Sequence, residues 1–170
     1  GLGGKYDSVT ATKAQIIVFT SISLDHMHIL GENISKITQE KAGAISEHTK
    51  LIISDNQTTK VSKVLNKQAK EHNLQILYTS TKINKKLTPK LLPGKHQQQN
   101  ARLAYTALKY IIDIYQMKIN NVIFLISHTF WPGRIQHISN KPKIIFDVGH
   151  NTDSLKVFIN YFKSIYLKYK

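Results

Sequence analysis

Four clusters of polar side chains are spaced so that each could do chemistry. Ser23-Leu24-Asp25-His26 follows an apolar, β-branched run at 14–20 (AQIIVFT). Functional groups of open α/β sheets collect beyond the carboxyl ends of strands. His26 is therefore placed to act as a metal ligand or a general base, or else to sit as a solvated loop histidine. His28, two residues on, makes a His-x-His pair, but the chain has no cysteine and no evident third ligand to complete a zinc site. Glu40-Lys41-Ala42-Gly43 puts a lysine on the half-apolar face of a helix. Such a lysine either snorkels to solvent or, when desolvated, is held as a neutral, reactive amine. Leu92-Pro93-Gly94-Lys95-His96-Gln97 turns directly into a helix whose first turns carry Asn100. Helix N-termini attract anions, and an amide there can read a base or a ribose. The fourth cluster is split. Trp131-Pro132-Gly133-Arg134 offers a guanidinium after a rigid turn, suited to phosphate. Asp147-Val148-Gly149-His150-Asn151 puts a carboxylate at a strand end, where it can accept hydrogen bonds from ribose hydroxyls. No Gly-x-Ser-x-Gly elbow occurs.

The elements that must position these clusters alternate. The run at 14–20 reads as a buried strand, 21–31 as a polar loop, and Asn33 caps a helix to about Ile45. Residues 51–54 (LIIS) form a short buried strand. An amphipathic helix over 57–72 carries Val61, Val64, Leu65 and Ala69 on one stripe. Residues 74–78 (LQILY) make a third strand. The order β-α-β-α-β predicts a parallel sheet with helices packed on it. Residues 79–92 read as a basic, aperiodic connector. A long helix follows over 96–117, with Leu103, Ala107, Tyr110, Ile111 and Ile114 as its apolar face. The run 121–127 (NVIFLIS) fits either a strand or a buried helix. Residues 143–148 read as a strand and 154–167 as a helix carrying Leu155, Phe158, Ile159, Phe162 and Ile165. A new strand-loop-helix unit thus starts after Pro142, and 131–142 is expected to connect two domains.

Composition narrows the function classes. The 170 residues are 41% apolar and 20% charged, an ordinary globular balance. No apolar run approaches the length of a membrane-spanning helix. The absence of cysteine excludes a disulfide scaffold, a zinc-thiolate site and thiol catalysis, and fits a reducing, cytoplasmic setting. Lys and Arg number 24 against 10 Asp and Glu, a net +14. These cations are spread along the chain rather than clustered, so nucleic acid is not the expected partner. The chain opens at Gly1-Leu2-Gly3-Gly4 without an initiating Met, and a glycine turn needs a strand before it. Residues upstream are therefore expected.

The clusters, taken in order, resemble the folylpolyglutamate synthase/dihydrofolate synthase family of the Mur ligase superfamily. The resemblance rests on Gly1-Leu2-Gly3-Gly4-Lys5-Tyr6-Asp7, on Thr20-Ser21-Ile22-Ser23-Leu24-Asp25-His26 with Ile29-Leu30-Gly31, and on Glu40-Lys41-Ala42-Gly43. It continues through Leu92-Pro93-Gly94-Lys95-His96-Gln97 with Asn100-Ala101, Trp131-Pro132-Gly133-Arg134-Ile135-Gln136 and Asp147-Val148-Gly149-His150-Asn151, and so spans nearly the whole chain. It implies an α/β fold: residues 1–130 as part of an incomplete, P-loop-type parallel-sheet ATP-binding domain, 131–142 as linker, and 143–170 as the start of a Rossmann-like C-terminal domain. It implies ATP-dependent amide formation, in which ATP phosphorylates a carboxylate of dihydropteroate or a reduced folate and the amine of L-glutamate displaces the phosphate. By resemblance, His26 is a Mg2+ ligand and Lys41 a carbamylated lysine steadying the metal. Tyr6, Asp7 and Ser8 line the pterin-bearing substrate. Asn100, Arg134 and Asp147 contact ATP, with His150 close by. A monomer is implied for the full-length protein.

The chain also departs from the family pattern. The family's phosphate-binding glycine loop and acidic metal ligand fall before Gly1, Lys5 stands where arginine is usual, Thr10 replaces asparagine and Thr152 replaces proline. Little or no ligase activity is therefore expected of these residues alone. The competing expectations are a nucleotide- or nucleic-acid-binding remnant without chemistry, and a Mur-type ligase of cell-wall precursors.

Overall fold

The computed structural model describes residues 4, 7–80 and 87–166. The chain divides into two compact units, Gly1–Lys82 and Ile83–Lys170.

In the first unit, three short strands form a parallel sheet in sequential order: β1 (Ile16–Phe19), β2 (Leu51–Ser54) and β3 (Ile76–Tyr78). Ile16 lies opposite Leu51, and Ile52 opposite Ile76. Parallel neighbours need crossovers, and the elements between strands supply them. After α1 (Ser8–Ala11), which precedes the sheet, these are α2 (Met27–Leu30), α3 (Ile34–Ala42) and α4 (Thr59–Glu71). Alternation along the strands puts Ile17, Phe19 and Ile52 on one face. There they pack against Ala42 of α3 and against Val61, Leu65 and Ala69 of α4. The stripe read from the sequence of α4 is the buried one, apart from a half-buried Val64. Burying a side chain the size of Leu65 or Ile52 contributes about 1.5–3 kcal/mol, so this face anchors the strand ends that carry the polar clusters. The helix start at Asn33 is as expected: its side chain accepts from the Lys36 amide at 3.0 Å. The loop expected over 21–31 contains α2, a single helical turn begun by His26.

The second unit holds α5 (Lys95–Tyr115), α6 (Val122–Ser127), the hairpin of β4 (Gln136–Asn140) and β5 (Lys143–Phe146), and α7 (Thr152–Tyr166). The run 121–127 resolves as a helix. Its Ile126 is buried with Ala101 of α5 and Leu87, while Val122 and Ile123 pack beside them. Residues 131–142, expected to be connecting chain, include a strand: β4 pairs antiparallel with β5, with an irregularity between His137 and Ser139. The apolar face expected on α5 is buried at Leu103 and Ala107, but Tyr110 and Ile114 are exposed. On α7 no residue is buried, and Leu155, Ile159 and Phe162 are exposed. Part of the expected connector, and Tyr6, lie outside the described residues. Among the described residues no helix is long and apolar enough to cross a membrane.

Candidate functional site

In the first unit the N-terminal turn and Lys41 meet at the carboxyl end of β1. Gly4 adopts φ +93°, and a Cβ there would lie 2.5 Å from the Glu40 carbonyl oxygen. Only glycine allows the N-terminal turn to press on the last turn of α3 in this way. The carbonyl of Gly4 accepts the Thr10 hydroxyl at 2.7 Å and the Asp7 amide at 3.1 Å. Asp7 caps α1 by accepting from the Val9 amide at 3.0 Å, and the exposed Ser8 hydroxyl donates to the same carboxylate oxygen at 3.2 Å. The result is a cavity of about 240 Å³ lined by Gly4, Asp7, Thr20, Ser21 and Lys41 among others. Two of the site residues expected from sequence, Asp7 and Lys41, are thus brought together; Lys41 is half-buried.

His26 starts α2 in the left-handed conformation at φ 51°. Its amide donates to Asp25 Oδ1 at 2.9 Å, and its Nε2 lies 3.7 Å from Asp25 Oδ2. An imidazole beside a carboxylate is a donor set that suits a divalent cation, because the carboxylate supplies the oxygen that hard cations prefer. The preceding loop is tied down by a residue that sequence reasoning missed. Gln57 Oε1 accepts from the Ile22 amide at 3.1 Å, and its Nε2 donates to the Thr20 carbonyl at 2.9 Å and Ser54 Oγ at 3.2 Å. Its place just past the end of β2 was the available signal.

In the second unit one carboxylate organises the turn and the strand end. Asp147 Oδ2 accepts from the Ile135 amide at 2.8 Å, and Oδ1 accepts from the Gly149 amide at 2.7 Å. The Gly133 carbonyl accepts from the Val148 amide at 2.9 Å, and the Gly133 amide donates to Gln136 Oε1 at 2.9 Å. Ile135 is buried at φ 48°, an uncommon conformation for a β-branched residue. Strain of this kind persists only where surrounding contacts over-determine it, and here Asp147 supplies such a contact. The clamp sets Arg134 on the surface, without an ion pair among the described residues. Each Asp147 oxygen keeps a lone pair for a further donor.

His96, which heads α5 and was given no role from sequence, belongs to this group. Burial lowers its pKa from the ordinary 6.5, Asp147 pulls it back up, and Arg134 pushes it down again. Asn100 is exposed one turn on, its Nδ2 donating to the buried Gln97 Oε1 at 3.0 Å, which leaves its carbonyl oxygen to accept. His150 is exposed, with Nδ1 3.2 Å from the Val148 carbonyl. A surface guanidinium, a strand-end carboxylate and an amide at the start of a long helix are the groups a nucleoside polyphosphate needs.

No protein-family model matches the chain. Curated relatives do. It is 34% identical over 167 residues to the dihydrofolate synthase/folylpolyglutamate synthase of Buchnera aphidicola, covering 92% of this chain and 39% of that protein. It is 28% identical over 179 residues to the Bacillus subtilis protein of the same name, covering 92% of this chain and 41% of that protein. Among solved structures, the apo form of L. casei FPGS superposes with a TM-score of 0.81 at 23% identity, over 98% of this chain and 46% of that one. A structure titled "FPGS-AMPPCP-folate complex" superposes with a TM-score of 0.85 at 23% identity, over the same shares. The fold is therefore the one seen in these FPGS structures. Over almost its whole length the chain is similar to members of the folylpolyglutamate synthase/dihydrofolate synthase family. It spans about two-fifths of the length of these curated relatives.

Proposed function

We propose that this chain forms part of an ATP-dependent ligase that joins L-glutamate to dihydropteroate or a reduced folate. The observation that carries this reading is the Asp147 clamp, which fixes the Arg134 turn and the His150 loop to one strand end. The similar curated proteins are named for these two reactions, and one similar structure is titled as a complex with AMPPCP and folate. Asn100 and Asp147 would hold the base and ribose, and Arg134 would meet phosphate oxygens, where a planar fork matches the geometry. Such charge neutralisation is what phosphoryl transfer to a carboxylate requires. His26, with Asp25 beside it, and a carbamylated Lys41 would hold Mg2+, which shields phosphate charge when bound. Asp7 would face the pterin-bearing substrate from the cavity it shares with Lys41, and Tyr6 and Ser8 would act on the same substrate. Residues 1–130 would serve as the nucleotide-binding domain, 131–142 as its connection and 143–170 as the start of the C-terminal domain. The protein would act as a cytoplasmic monomer.

The test is ADP formation in the presence of ATP, Mg2+, dihydropteroate and L-glutamate, with each substrate omitted in turn. Turnover that needs all of them supports the reading. Binding of ATP with no turnover under any combination would reduce the chain to a nucleotide-binding part. Failure to bind ATP would overturn the proposal.

A further inference from the structure

A second cavity lies in the Ile83–Lys170 unit, and none of the residues proposed to hold ATP lines it. Its volume is about 520 Å³, within the range of small-molecule sites. The start of α5 and residues 157–164 of α7 build it, and its polar lining is Lys95, His96, Gln98, Asn160, Tyr161 and Ser164. Three features of this lining point the same way. It contains one ammonium and no carboxylate, so a cation finds no partner there. Of its neutral polar side chains, the Gln98 and Asn160 amides and the Tyr161 hydroxyl are groups that can donate. His96 Nδ1 is buried with no hydrogen-bond partner, and an unmet buried polar atom calls for a ligand or water.

The lining tyrosine is held in place. Tyr161 Oη lies 3.0 Å from His137 Nε2, so β4 fixes the hydroxyl that α7 presents. Ser164 donates its own proton to the Tyr161 carbonyl at 2.6 Å. Lys95 is exposed and free to swing over the opening, and no ion pair engages it among the described residues. The exposed apolar residues of α7, Leu155, Ile159 and Phe162, are not among the residues lining this cavity.

From this we infer that the cavity between the start of α5 and α7 is a binding site for a small oxyanion, a carboxylate or phosphate group, gripped by Lys95 and Tyr161. The inference does not rest on the ligase reading, because it concerns different side chains from those proposed to hold ATP, apart from the shared neighbour His96. A single ammonium with a few neutral donors supports binding in about the millimolar range, near −4 kcal/mol.

The experiment titrates the 15N-labelled chain with inorganic phosphate and, separately, with L-glutamate, and follows amide shifts. Saturable shifts centred on Lys95, Gln98, Tyr161 and Ser164 are expected. Binding should weaken at least about fivefold in both Lys95→Met and Tyr161→Phe, while Lys60→Met, at a residue that does not line the cavity, leaves it unchanged. Response to phosphate alone or to glutamate alone identifies which oxyanion the site takes, and both outcomes support it. Lys95 is exposed, so Lys95→Met tests the site even if Tyr161→Phe disturbs packing. No saturation with either anion by about 20 mM, unchanged affinity in Lys95→Met, or shifts confined to the Arg134 and Asp147 loops would overturn the inference.

Discussion

Replacing Asp147 with asparagine separates the clamp from any binding role. In the native protein both carboxylate oxygens accept backbone amides, Ile135 at 2.8 Å and Gly149 at 2.7 Å. Asparagine keeps one oxygen and turns an NH2 group towards the other amide, so one bond is lost and two donors face each other. Ile135 is 2% exposed, so its amide has no route to water. An unmet buried donor costs about 1–3 kcal/mol. Taking about 2 kcal/mol, local opening at that amide becomes about 30 times more frequent. Hydrogen exchange read by NMR at Ile135 and Gly149 measures this directly. Urea unfolding followed through Trp131, the sole tryptophan and a residue of the clamped turn, measures the global share. Loss of protection at one of the two amides, with a lower urea midpoint, is expected in Asp147→Asn. Asp147→Ala should expose both amides. Native protection of both amides in Asp147→Ala would refute the clamp.

Three further outcomes follow from the same geometry. Gly4→Ala places a methyl 2.5 Å from the Glu40 carbonyl oxygen at a positive φ; destabilisation of more than about 2 kcal/mol is expected by urea unfolding, and a native midpoint would contradict the close approach. Gln57→Ala removes the tie between the Thr20–Ile22 loop and the end of β2; the Ile22 amide should exchange about tenfold faster, with about 1 kcal/mol of stability lost. His96 has its pKa lowered chiefly by burial, so the unfolded chain binds a proton that the folded chain resists. Its contribution to stability is present above 6.5, the ordinary value, and is lost as pH falls through the folded pKa. Urea midpoints should therefore decline from about pH 7 to about pH 5, and less steeply in His96→Phe. An NMR titration should place the native imidazole below its ordinary value.

Much of this arrangement is legible in residue type and spacing. The β2 run LIIS, the Asn33 cap and the Val61, Leu65 and Ala69 stripe stand where the pattern puts them, because each is set by local periodicity or by a bond three residues away. Asp147 at its strand end and Asn100 in the first turns of α5 stand where the pattern puts them for the same reason. What escapes is decided by neighbours distant in sequence. β4 is a polar segment, Gln136 to Asn140, that becomes a strand only because β5 pairs with it. Tyr110, Ile114 and the apolar residues of α7 have helical spacing, yet periodicity alone does not supply the surface that buries them. Gln57 reaches back 35 residues to Ile22, and Asp147 reaches 12 back to Ile135. His96 gains its altered titration from Asp147 and Arg134, which chain position does not reveal.

The most direct measurement of the central claim is ATP binding read by Trp131 fluorescence, with Mg2+ present. Trp131 is 65% exposed and opens the turn that carries Arg134. A saturable change is predicted, weakened at least about tenfold in Arg134→Ala, which equals about 1.4 kcal/mol of lost phosphate contact. A flat response up to about 5 mM ATP, or equal binding in Arg134→Ala, would contradict the assignment of this turn and strand end to the nucleotide.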